Sequence, residues 1–212
     1  MTEPSSAGPR PASWVLPDPA RAPRRQYETS TNWDRFLQVH PAIPAAFYLP
    51  LAMWLLGRAS AAAVPAGLLF VMGLALWTLL EYVIHRGILH YADLGAWWNL
   101  GLAQVHASHH EHPEDVSKVV ISPARTAPGT ALIYLLLRTL LPSAEAGGLL
   151  SGILVGYLGY ETFHYLYHAP ISLRWGWLVE LRKYHARHHF ETPDRRFGVT
   201  APLWDFVFRT WS

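Results

Sequence analysis

At 212 residues the chain has the length of one domain or two small ones, and only 15% of its residues are charged while 51% are hydrophobic. Soluble domains carry roughly 25% charge, so this composition excludes an ordinary soluble protein. The absence of cysteine excludes disulfides, thiolate zinc sites, Cys-ligated iron–sulfur clusters and thiolate haem, and a net charge of +2 gives no case for nucleic acid.

Residues 1–30 are rich in Pro, Ser, Ala and Arg without a hydrophobic period and are expected to form a disordered tail, leaving 31–212 as an integral-membrane domain. Ala42–Gly57 and Ala61–Leu80 are uncharged runs separated by Arg58 as their only charge, a pattern that predicts a tight transmembrane hairpin. A second, less apolar hairpin is expected from Ala127–Leu137 and Ala146–Tyr160, the last helix continuing past Glu161 towards His168. Gly152, Gly156 and Gly159 would give that helix a small-residue packing face. The expected fold is therefore an all-α membrane protein of about four spans in two hairpins. Fifteen of the seventeen Lys and Arg residues fall on one side, which the positive-inside rule makes cytoplasmic, together with the N-terminus and the histidine-bearing helix ends. An even number of crossings also brings the ends of the second and fourth helices to the same face. The preference for Arg over Lys, with only Lys118 and Lys183, points to a GC-rich bacterium and hence its inner membrane.

Ten of the twelve histidines fall into four groups. His85 and His90 form an HxxxxH, His106, His109 and His110 an HxxHH, His164 and His168 an HxxxH, and His185, His188 and His189 a second HxxHH. At 3.6 residues per turn, i+3 and i+4 flank position i, so each HxxHH presents three imidazoles on one helical face. Five residues turn about 140° away, so His85 and His90 cannot share a face of a regular helix, and Gly87 between them marks an expected end or bend. Ten imidazoles exceed the needs of one tetrahedral zinc and suit two ions with about five nitrogens each. Glu81 and Glu161, one turn before His85 and His164, are candidate catalytic carboxylates expected to accept the second N–H of a metal-bound ring. His40 reads as an interfacial residue and His112 points away from the box before it. Asp115 and Asp205 read as turn acids, and Trp97/Trp98 and Trp175/Trp177 as interfacial anchors.

The boxes resemble those of the fatty acid hydroxylase/sterol desaturase superfamily. HASHHEHPEDVSKVVISP, LLLRTLLP, GYLGYETFHYLYH and YHARHHF…FGVTAPLWDFVFRT, between about Thr31 and Trp211, are most similar to its fatty acid 2-hydroxylase branch. Carotenoid ring hydroxylases share the boxes but match the C-terminal stretch poorly. The resemblance implies four transmembrane helices under a cytosolic helical cap, in which the ten box histidines, and neither His40 nor His112, hold two metal ions. It also implies O2-dependent hydroxylation at C2 of a fatty acyl chain, for which the metals are read as iron, with zinc able to occupy the same nitrogens after purification. Eukaryotic members carry an N-terminal b-type cytochrome domain, whereas about forty residues precede the first span here. Electrons are therefore expected from a separate protein, a b-type cytochrome or a ferredoxin with its reductase. The competing readings are a sterol or carotenoid hydroxylase or desaturase, and a non-catalytic histidine-rich zinc-binding membrane protein.

Overall fold

The computed structural model describes residues 40–91 and 101–212, so the 1–30 segment and Trp97/Trp98 lie outside the described residues. Among the described residues there is no β-strand. The α-helices are α1 (Ala42–Arg58), α2 (Ala66–Ile84), α3 (Leu102–Glu111), α4 (Pro123–Leu140), α5 (Ser143–His168), α6 (Gly176–Phe190) and α7 (Leu203–Val207). The expected hairpins are present as α1–α2 and α4–α5. Two of these segments, Ala42–Ala61 and Ala66–His90, are long and apolar enough to cross a membrane.

α5 is the central helix, packed along α2 and α1. Residues 146–154 are buried without interruption, so the helix is enclosed on all sides. This explains its weaker hydropathy: Gly148 and Gly152 occupy contacts too close for a side chain. A Cβ on Gly152 would stand 2.0 Å from the Phe70 carbonyl oxygen, and one on Gly73 would stand 2.1 Å from that of Leu149. Gly148 faces Leu69 and Gly156 faces Trp77, whereas Gly159 meets nothing within 4 Å. The expected glycine face thus runs through Gly148, Gly152 and Gly156 and omits Gly159.

These contacts also fix direction. Positions 69, 73 and 77 meet 148, 152 and 156 in the same order, so α2 and α5 run parallel in contact, and the same offset carries on to His85 and His164. Below the histidines, Trp77 and Tyr48 pack edge-on against Tyr157 at 5.5 and 5.4 Å between centroids, forming an aromatic core between the long helices. On the outside, α4 has no buried residue, and Leu132, Leu135, Leu136 and Leu140 are exposed, Leu140 to 83%. A leucine face of this kind suits hydrocarbon rather than water.

Above the long helices lie α3, α6 and the C-terminal segment. Trp204 Nε1–H donates to Thr78 Oγ1 at 2.9 Å, and Phe208 stacks on Tyr82 at 5.1 Å, fastening the end of the chain to α2. Trp175 and Trp177 are exposed.

Candidate metal centre

The second apolar helix does not end at His85. It widens into a π-helical turn over His85–His90. A π-helix closes i→i+5 hydrogen bonds, so residues five apart return to nearly the same face. The His85 and His90 rings accordingly lie 5.0 Å apart. The expected bend at Gly87 is thus a widening, and it resolves the spacing that a regular helix could not accommodate.

All ten box histidines converge, in two groups of five. One comprises His85, His90, His106, His110 and His188; the other comprises His109, His164, His168, His185 and His189. Within each group one nitrogen per ring lies within 4.8 Å of all the others. That span is about twice a metal–imidazole bond of about 2.1 Å, so a single cation could touch all five. Each HxxHH is divided by helical geometry. In α3 the i and i+4 residues, His106 and His110, join one group while His109 at i+3 joins the other. In α6, His185 and His189 go together and His188 crosses over. His110 and His189 stack at 4.1 Å where the groups meet.

The donor chemistry favours a cation. A carbonyl can only accept, so Nδ1 carries the proton in His85, bonded to Phe197 O at 2.5 Å, in His188, bonded to Arg195 O at 2.5 Å, and in His168, bonded to Pro113 O at 2.8 Å. Their Nε2 atoms are therefore bare lone pairs. They face other Nε2 atoms: His85 meets His106 at 3.1 Å, His188 meets His90 at 3.0 Å, and His168 meets His185 at 3.0 Å. His106 Nε2 also meets His90 Nε2 at 2.9 Å, so His85, His106, His90 and His188 make three contacts in a row while only the two inner rings can carry a proton there, and one contact is left without a donor. That unserved contact, with the close spacing of the nitrogens in each group, fits metal ions between the rings. Burial first, and neighbouring imidazoles second, hold His106, His109, His110, His185 and His189 well below the ordinary imidazole range. Burial likewise pushes His188 down to about 4. These cap rings are neutral at physiological pH, the form that ligates metal.

Glu81 and Glu161 are buried beneath the boxes, but neither accepts from a ring. Glu81 Oε1 accepts the Val199 and Thr200 N–H groups at 2.6 and 2.8 Å, and its Oε2 bonds the Thr200 hydroxyl. Glu161 Oε1 accepts from Tyr157 Oη at 2.7 Å and from Ile121 N–H at 3.4 Å. The orienting role expected of these carboxylates falls, for His85, to the Phe197 carbonyl. Backbone carbonyls leave no trace in a sequence, and the three found here could not have been read from it.

His40 is exposed and its Nδ1 accepts the Ala42 N–H at 3.2 Å, just before α1. His112 is exposed beside Glu114 at 3.8 Å and belongs to neither group. Asp115 caps a turn by accepting from Ser117 N–H at 3.1 Å, as expected of a turn acid. Asp205 departs from that expectation: it is completely buried.

A long-helix scaffold carrying ten converging imidazoles defines a histidine-box membrane protein. The model of the fatty acid hydroxylase family matches residues 70–210, and the chain belongs to that family, as an enzyme of the fatty acid 2-hydroxylase type. Among its relatives is the dihydroceramide fatty acyl 2-hydroxylase FAH2 of Arabidopsis thaliana, 36% identical over 172 residues that cover 80% of this chain and 72% of that protein. The fatty acid 2-hydroxylase of Rattus norvegicus is 37% identical over 144 residues, 67% of this chain and 39% of that protein. The solved structure of full-length Scs7p, in which only the hydroxylase domain is visible, is similar with a TM-score of 0.77 at 30% identity, covering 87% of this chain and 71% of that one.

Proposed function

We propose that this chain is a fatty acyl 2-hydroxylase using two iron ions, one in each histidine group, with O2 as co-substrate. The observation that carries the reading is the pair of five-imidazole groups with inward lone pairs, in a chain whose relatives bear 2-hydroxylase names. Zinc occupying the same nitrogens in purified protein is consistent with this, since it binds imidazole more tightly than ferrous iron does. An aliphatic C–H bond lies beyond side-chain acid–base chemistry, and bound iron would supply the O2 chemistry that cleaves it.

The chain's own residues perform the positioning. Carbonyls of Arg195, Phe197 and Pro113 fix ring tautomers, and Phe197 packs against His85, His90 and His188 at 5.4–5.6 Å, excluding water from one group. Tyr160 lies beside His164 at 5.3 Å, on the helix side of the other group. Because the groups sit at the ends of α2 and α5, they lie at headgroup depth, where the carbon next to an acyl carbonyl resides. A mid-chain carbon would have to fold back to reach them.

The topology that goes with this reading has four spans. α4 and α5, of 18 and 26 residues, are long enough at 1.5 Å per residue, and the exposed leucines of α4 face lipid. The distribution of basic residues supports a cytoplasmic cap and N-terminus, in a bacterial inner membrane, and electrons come from a separate b-type cytochrome or ferredoxin with its reductase. None of the relatives named above is a sterol or carotenoid enzyme, and a zinc store would consume no oxygen.

The test is lipid analysis of an expressing host grown under 18O2. Acyl chains are expected to gain one labelled hydroxyl at C2, absent when His185 is replaced by Ala. A hydroxyl elsewhere on the chain, or one carrying unlabelled oxygen, refutes the proposal.

A further inference from the structure

Four consecutive amides, Phe197 to Thr200, all point away from the histidines and into two buried carboxylates. Glu81 takes the second pair, as described above. Asp205 takes the first: its Oδ1 accepts the Phe197 N–H at 2.9 Å and the Thr210 hydroxyl at 2.7 Å, and its Oδ2 accepts the Gly198 N–H at 2.8 Å. With its N–H held behind, the Phe197 carbonyl is aimed forward at His85 Nδ1. Two residues earlier the Arg195 carbonyl reaches His188 Nδ1 in the same way. Both carbonyls can point to one side because Arg196 between them adopts the left-handed region at φ 59°, held there by its own N–H to Thr210 O at 2.8 Å. Gly198 admits no side chain, since a Cβ would stand 2.2 Å from Ala201 O and 2.9 Å from Asp205 Oδ2.

We propose that Asp205 is a positioning residue that sets the affinity of one metal site selectively. It clamps the 195–200 segment whose two carbonyls orient His85 and His188, both in the first group. Nothing in this segment touches a ring of the second group through a hydrogen bond; His168 there is oriented by Pro113 from the opposite side. The inference rests on the two-metal reading above. Outer partners of ligating histidines typically change metal affinity about 10–100-fold when removed. Asp205→Asn keeps Oδ1 but turns an NH2 donor against the Gly198 N–H, which must then let go.

The test is metal content and release to a chelator, measured on the full chain loaded with zinc or iron. Wild type is expected to hold two ions. Asp205→Asn is expected to hold one, or to release one of two at least about 10-fold faster while the other leaves at the wild-type rate. A cycle identifies which ion is affected. Asp205→Asn with His85→Ala should hold the same single ion as His85→Ala alone, whereas Asp205→Asn with His185→Ala should hold none or only the fast-released ion. Equal release of both ions at the wild-type rate, or equal weakening of both, overturns the proposal. Should Asp205→Asn fail to fold, Thr210→Val removes one donor to the same carboxylate and must show the same selectivity in smaller degree; none overturns the claim. A wild-type chain that binds no ion defeats the two-metal reading itself.

Discussion

Replacing His188 or His185 with alanine will abolish 2-hydroxylation in both cases but remove a different ion in each. The two residues are three apart on α6, yet helical geometry sends His188 to the first group and His185 to the second. Each loss leaves four nitrogens and a buried gap, and the fall in affinity should exceed the about 100-fold typical of losing an outer partner. Metal analysis should give one ion per chain for either variant, while 2-hydroxy acyl product falls below detection for both. If His188→Ala retained two ions and normal product, the division of the boxes between the groups would be wrong.

Alanine at Gly152 should be the most damaging substitution outside the histidines. Its methyl would lie 2.0 Å from the Phe70 carbonyl oxygen, 2.8 Å from Leu74 N and 2.9 Å from Gly73 Cα, all backbone atoms that no rotamer change can move aside. Overpacking typically costs about 1–3 kcal/mol, and a clash with rigid backbone belongs at or above the top of that range. The parallel contact of α2 and α5 also holds His85 and His164 at one level, so separating the helices should loosen both metal groups. Thermal unfolding in detergent should show a markedly lower midpoint together with metal loss. Gly159→Ala, with open space around its Cβ, is the control and should be neutral or stabilising by up to about 1 kcal/mol through helix propensity. Equal behaviour of the two variants would contradict the close-packed register.

The boxes were legible because ligand spacing and helical period are both local. HxxHH and HxxxH announce shared faces wherever they occur, and the parallel contact of α2 with α5 brings His85 and His164 to one level. Three things were not local. HxxxxH fits no regular helix, and only the π-helical turn at His85–His90 reconciles it with a common site. The division of each HxxHH between two groups depends on which neighbour stands on either side of α3 and α6, which spacing alone leaves open. The partners of Nδ1 in His85, His168 and His188 are backbone carbonyls, set by how Phe197, Pro113 and Arg195 are held in three dimensions. Glu81 and Glu161, expected to accept from metal-bound rings, are buried one turn before His85 and His164. They act on loops rather than rings because their side chains leave α2 and α5 towards residues 199–200 and 121. Asp205 reads as a turn acid because its sequence neighbourhood resembles an ordinary turn, whereas in the fold it is completely buried against Phe197, Gly198 and Thr210.

X-ray absorption at the iron edge of the iron-loaded full chain, combined with the iron-to-protein ratio, probes the two imidazole cages most directly. Ten converging nitrogens predict two irons per chain, each with a shell dominated by about five imidazole nitrogens near 2.1 Å. A single iron per chain, or a shell made mostly of oxygen with fewer than three imidazoles per ion, would contradict the paired-cation centre.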